Sequence, residues 1–276
     1  MSKKPLKTPR KKFLSLLLLA LFSGLLFFSS IKLVVWKIDS DKTNSEITKI
    51  QESTPVEETE DDDSTLVVAP EEAPEPENVY WKYLKTPLLS VDLTSLKQEN
   101  PDTVGWLRVE GTNINYPFVQ AQNNKFYLSN SFSRTKNSAG WVFLDYRNAK
   151  DFSDQNSIIY AHGRTDQTMF GSLKNLLSSS WLNNPENYLI HIVTDSSSNI
   201  YQIFSVYVIP TTSDYLKTSF KTEENFKTFA EMLKNRSSFD FKTSVSGTDK
   251  ILTLSTCYND AEKVVVHAKL IKYKTN

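Results

Sequence analysis

One side chain in this sequence is a thiol, the most nucleophilic group available for a covalent intermediate. Among 276 residues there is one cysteine, Cys257, and there are three histidines, His162, His191 and His267. A thiolate attacks carbonyl carbons, but a thiol needs a neighbour that takes its proton, and an imidazole within hydrogen-bond reach is the usual one. His191 stands in Leu189-Ile190-His191-Ile192-Val193 and His267 in Val264-Val265-Val266-His267-Ala268. Both sit inside strand-like runs, so each is expected to be structural. His162 follows Ile158-Ile159-Tyr160-Ala161 and precedes Gly163-Arg164-Thr165-Asp166. It therefore closes a strand and opens a loop, where side chains reach a substrate. Cys257 likewise ends Ile251-Leu252-Thr253-Leu254-Ser255-Thr256 and precedes a polar turn, Tyr258-Asn259-Asp260. Two strand-end residues of these types fit a cysteine hydrolase or transferase. Their separation of 95 positions does not bring them together by itself, and a small buried hydrophobe is the other reading of a lone Cys. A single Cys excludes an intramolecular disulfide. One Cys and three scattered His show no ligand spacing, so neither a metal nor another cofactor is expected.

Such residues need a scaffold that presents strand ends at a common rim. Strand-like runs occur at 104–109, 113–119, 139–145, 157–161, 188–193, 201–209, 250–255 and 264–273. Several alternate apolar and polar residues, as Leu252 and Leu254 do against Ile251, Thr253 and Ser255. Many short strands and few helices favour a mainly β barrel or sandwich. Leucines and aromatics from Trp81 to Leu96 predict one or two short helices before the strands, ended by Asn100-Pro101. A further helix is expected at about 222–235, capped by Thr222, with Phe226, Phe229 and Leu233 on its buried face. Residues 79–276, 198 in all, make one domain of comfortable size.

The zero net charge averages unlike segments. Residues 1–12 hold six Lys/Arg and no acid, residues 51–78 hold eleven Asp/Glu and no base, and from residue 79 onward 22 bases face 18 acids. That balance is topological and does not indicate a nucleic-acid partner. The uncharged stretch 13–31 is nineteen residues long, enough to cross a bilayer core of about 30 Å. With bases before it, the positive-inside rule puts 1–12 in the cytoplasm as a basic tail, 13–36 in the membrane as a single-pass anchor, and the rest outside the cell. The competing reading, a cleaved signal peptide, has a shorter apolar run and an A-x-A site, and neither is present. Residues 37–78, rich in Pro and acids, are expected to be a disordered acidic linker.

Thr253-Leu254-Ser255-Thr256-Cys257, preceded by Tyr160-Ala161-His162, resembles the sortase pattern. The likeness runs through 79–276 and points to the class B branch. Asn100-Pro101-Asp102-Thr103-Val104-Gly105-Trp106-Leu107, Ile114-Asn115-Tyr116-Pro117-Phe118-Val119-Gln120, Gly140-Trp141-Val142-Phe143-Leu144-Asp145-Tyr146-Arg147-Asn148 and Thr168-Met169-Phe170-Gly171-Ser172-Leu173 resemble that class in order and spacing. The resemblance implies an eight-stranded sortase β-barrel with N-terminal helices and an inserted helix at about 222–235, anchored in a Gram-positive membrane. It implies a cysteine transpeptidase that cleaves a C-terminal sorting motif after Thr through a thioacyl-enzyme. The donor would be a surface protein or a pilin. The acceptor amine would come from a peptidoglycan cross-bridge precursor or a pilin Lys. Cys257 carries over as nucleophile and His162 as its acid/base partner, while Asn115, Val119, Thr211, Tyr215, Leu216 and Ser255 fall where class B members line the sorting-signal groove.

The chain departs from the family where an Arg supports the oxyanion. Lys263 stands in register there, and no Arg follows Arg236. Lys keeps the charge and loses the planar two-pronged donor. Either Lys263 takes that role or another donor, such as Arg164, does. Ala161-His162-Gly163 also differs from the Gly-His-Asn or Gly-His-His of many relatives. Two alternatives stand beside the transpeptidase: an endopeptidase whose acyl-enzyme is resolved by water, and an impaired sortase-like assembly factor.

Overall fold

A computed structural model describes residues 9–70, 74–257 and 262–276. Residues 1–8 of the basic tail and the turn Tyr258-Asn259-Asp260 lie outside the described residues. Two compact units divide the chain, Met1–Lys42 and Thr43–Asn276.

Helix α1 spans Pro9–Ser53 and so begins in the first unit and ends in the second. No Pro or Gly interrupts the sequence between Gly24 and Pro55, and the helix stops just short of that proline, as the steric demand of the ring on its predecessor requires. From Phe13 the helix is long and apolar enough to cross a membrane, and its apolar side chains lie exposed, Leu26 at 71% and Phe27 at 70%.

In the second unit the strands are β1 (Val56–Thr59), β2 (Thr65–Val67), β3 (Leu88–Val91), β4 (Thr103–Val109), β5 (Asn115–Val119), β6 (Phe143–Leu144), β7 (Asn156–His162), β8 (Leu189–Thr194), β9 (Ser197–Pro210), β10 (Ile251–Cys257) and β11 (Glu262–Thr275). Short helices α2 (Tyr80–Tyr83), α3 (Thr94–Glu99) and α4 (Ser179–Leu182) and the longer α5 (Glu223–Arg236) connect them. The hydrogen-bonded order β10-β7-β6-β5-β4-β8-β9-β11 returns to β10, which closes a barrel of eight strands. β2 adds beside β11 outside that ring, and β1 pairs with β3. All eight strands expected from the sequence are present.

Period-two alternation sorts the apolar residues into two cores. Leu252, Leu254, Val264 and Val266 join the main core with Leu107, Phe118, Ile159 and Ile192. Their neighbours Ile251 and Val265 join a second cluster with Phe204, Tyr207, Phe226, Phe229 and Leu233 under α5. That helix starts where the Thr222 hydroxyl accepts the Asn225 N–H at 3.2 Å. Each fully buried Phe or Leu contributes about 1.5–3 kcal/mol over an exposed one, so α5 is held by its stripe rather than by propensity.

Three local expectations are corrected. Residues 37–78 are not a structureless linker: they carry the end of α1, then β1 and β2. Composition alone missed this because the stabilising partners are distant. Lys272, 1% exposed, holds the Asp61 carboxylate at 2.6 Å and the carbonyls of Leu84 and Thr86 at 2.9 Å, while Lys274 Nζ pairs with Asp62 at 2.5 Å. Glu46 accepts the Ser133 N–H at 2.8 Å, and Gln51 donates to the Asn115 carbonyl at 2.9 Å. Leu88, Leu89 and Val91, expected in a helix, form β3 because β1 offers an antiparallel partner. The run 139–145 shrinks to β6, since the Trp141 N–H turns to the Tyr127 carbonyl instead of a ladder.

The compact unit therefore begins near Thr43. A chain starting at Thr43 should fold stably, whereas one starting at residue 79 strands a buried ammonium. The expected loss is about 2–3 kcal/mol, discounted because Asp61 is half exposed, or roughly 5–10 °C in thermal midpoint. Equal midpoints for the two chains would mean that 43–78 add nothing to the fold.

Candidate active site

β7 and β10 run parallel and in register for seven residues, from Ile251↔Asn156 to Cys257↔His162. Neighbouring strands lie about 4.8 Å apart, so Cys257 and His162, 95 positions apart in sequence, become side-by-side backbone neighbours at one end of the barrel. Both strands stop there, so the pair lies at the rim rather than within a ladder.

The half-buried His162 ring has its Nε2 2.8 Å from the Leu128 carbonyl oxygen. A carbonyl only accepts, so Nε2 carries the proton in this contact and Nδ1 is the basic nitrogen of the neutral ring. Gly140 makes the approach of that loop possible. Its φ is +62°, and a Cβ there would overlap the Tyr127 carbonyl oxygen and meet His162 Cδ2 at 3.1 Å. Past His162 the chain folds back, with the Phe170 N–H donating to the His162 carbonyl at 2.9 Å. Arg164 fastens this loop: Nη2 holds Asp166 Oδ2 at 2.7 Å and Nε donates to the Thr168 hydroxyl at 3.0 Å.

Beside the rim lies a groove of about 520 Å³. Thr211, Tyr215, Leu216 and Ser255, expected as groove residues, line it together with Lys263, Phe143 and Tyr160. Tyr215 is packed into the cluster under α5, and its hydroxyl is 2.9 Å from that of Ser255, so the helix steadies one wall. The chain after β9 is tied down where Asn156 Nδ2 donates to the Lys217 carbonyl at 2.7 Å. Asn115 and Val119 do not line the groove. Asn115 Oδ1 accepts the Trp106 indole N–H at 2.7 Å, and Val119 is fully buried in the core beside Phe143. The residues that do line it from this part of the chain are Asn124 and Leu128.

A sequence profile described as the sortase domain matches residues 107–271. The sortase B of Listeria monocytogenes is 34% identical over 188 residues, covering 65% of this chain and 74% of that protein. The crystal structure of sortase B from Bacillus anthracis in complex with AAEK1 superposes with a TM-score of 0.67 at 29% identity, covering 85% of this chain and 99% of that one. A Staphylococcus aureus sortase B–substrate complex gives 0.60 at 34% identity, with 64% and 83% covered. The chain belongs to the sortase family, in its class B branch. As a sortase it is a cysteine transpeptidase, an acyl-transfer enzyme that cleaves sorting motifs.

The other two histidines of this sortase serve the barrel. His267 is fully buried, and burial, aided by the Arg236 charge, pushes its pKa down to about 3. The neutral ring fits its partners: Nδ1 lies 2.9 Å from the Thr253 hydroxyl, which donates to Asn156 Oδ1, and Nε2 lies 2.8 Å from the Tyr207 hydroxyl. His191 is buried on β8 with Nε2 3.3 Å from Glu110. Among the described residues no cluster of His, Cys, Asp or Glu could hold a metal.

Proposed function

We propose that Cys257 is the nucleophile of this transpeptidase, His162 its acid and base, and Lys263 the positive charge beside the forming oxyanion. The register pair Cys257↔His162 next to a peptide-sized groove carries this reading. His162 takes the thiol proton, the Cys257 sulfur attacks the Thr carbonyl of a sorting motif, the C–N bond breaks, and His162 hands that proton to the departing amine. The thioacyl-enzyme then meets an acceptor amine. His162 takes a proton from that amine as the new amide forms, and the thiol is released. Lys263 lines the groove, whereas Arg164 holds Asp166 and lines an adjoining cavity of about 210 Å³ that meets the groove at Thr256, which favours Lys263 for the oxyanion role.

The donor is a protein with a C-terminal sorting motif, a surface protein or a pilin. The acceptor is an amine from a cell-wall precursor or a pilin Lys. The Staphylococcus aureus relative solved with substrate supports a peptide in the groove. The basic tail 1–12 is cytoplasmic, α1 crosses a Gram-positive cell membrane once from about 13 to 36, and the barrel works outside the cell.

A pooled library of short peptides, each with one internal Thr, incubated with the enzyme and triglycine, tests the reading by mass spectrometry. Ligated products are expected. Hydrolysed products alone would make it an endopeptidase, and no product would leave an inactive assembly factor. On the best-cleaved peptide, Lys263→Arg should keep or raise kcat/KM, while Lys263→Ala lowers it about a hundredfold. A large loss in Lys263→Arg would remove Lys263 from this role.

A further inference from the structure

The groove wall built by β6 is thin in backbone bonding. That strand is two residues long, meeting β5 at one register pair and β7 at two. A side-chain network stands behind it. Asp145, fully buried, receives five donors: Arg147 Nη2 at 2.7 Å, Arg147 Nε and the Arg147 N–H at 2.9 Å, the Tyr160 hydroxyl at 2.9 Å and Asn124 Nδ2 at 3.1 Å. Burial pushes the Asp145 carboxyl up, but the Arg147 guanidinium and N–H and the Tyr160 hydroxyl outweigh it and hold the group ionised. Arg147 Nη2 also donates to the Leu216 carbonyl at 3.1 Å, and the Tyr146 N–H closes on Asn124 Oδ1 at 3.0 Å.

Three groove-lining residues thus converge on one ion pair that does not itself line the cavity. Asn124 comes from the loop after β5, Tyr160 from β7 and Leu216 from the loop after β9. A fork-to-fork carboxylate–guanidinium contact fixes direction as well as distance, which a point charge does not. We infer that Asp145 and Arg147 form a brace that sets the width of the groove and hence how tightly the sorting peptide is held, both acting as positioning residues for transpeptidation. This rests on the groove reading under Proposed function.

The probe is the best-cleaved peptide of the internal-Thr library. Arg147→Ala should raise its KM about tenfold while kcat at saturation changes less than about twofold, because the brace acts on binding and not on the reacting atoms. Arg147→Lys should not restore KM, and Tyr160→Phe, which removes one oxygen, should give a smaller rise. Alkylation of Cys257 by iodoacetamide should proceed at the parent rate in Arg147→Ala, a result that general loosening of the fold would not give. Parent-like KM in both Arg147→Ala and Tyr160→Phe overturns the inference, as does a fall confined to kcat. If Arg147→Ala does not fold, Tyr160→Phe decides. A parent enzyme that cleaves no peptide overturns the groove reading and this inference with it, whereas parent cleavage with unchanged variants overturns the inference alone.

Discussion

Cys257→Ala is expected to lose cleavage and transfer together, by about 10⁴-fold or more, because it removes the one thiol of the sequence. Mass spectrometry of the parent trapped with substrate should show the acyl group on the tryptic peptide that contains Cys257, and the variant should show none. The substitution lies at the last residue of β10. The thermal midpoint should accordingly stay within about 3 °C, since a strand-end replacement that removes a single sulfur atom has a small effect. Turnover in this variant at even a hundredth of the parent rate would defeat the nucleophile assignment.

His162→Ala should cost about a hundred- to ten-thousand-fold in kcat/KM, the range spanned by a positioned general acid–base. The loss should be larger for donors with a poor leaving amine than for activated thioesters or esters, which leave without a proton. In the proposed reading Nδ1 exchanges the proton while the Leu128 carbonyl holds Nε2, so the variant should also change the pH–rate profile. Labelling of Cys257 by a sorting-peptide vinyl sulfone should fall in parallel. An unchanged pH profile with only a modest rate loss would make His162 a packing residue, and another base would have to be sought.

Local pattern carried much of this fold. Alternation in Leu252, Leu254, Val264 and Val266 marked barrel strands, and the Thr222 cap with its Phe226-Phe229-Leu233 stripe marked α5, because these signals depend on neighbours within one or two turns. The strand-end positions of Cys257 and His162 were legible for the same reason. Where the competing partner was remote, reading by neighbours failed. The acidic stretch 51–78 looked unable to order itself, yet Lys272 and Lys274, some 210 positions away, supply the counter-charges that order Asp61 and Asp62.

The groove shows the same division at finer scale. The likeness to class B sortases pointed to Asn115 and Val119 as groove residues. In the folded chain β5 buries Val119 in the core, while the loop that follows places Asn124 and Leu128 on the cavity and gives Asn124 to Asp145. Residue types and spacing marked the candidate nucleophile and its partner and the eight barrel strands, but not β1, β2 or β3. Barrel closure alone decided that β7 and β10 lie side by side in register, since strand pairing between distant segments is settled by the whole hydrogen-bonded ring and not by either strand's own residues.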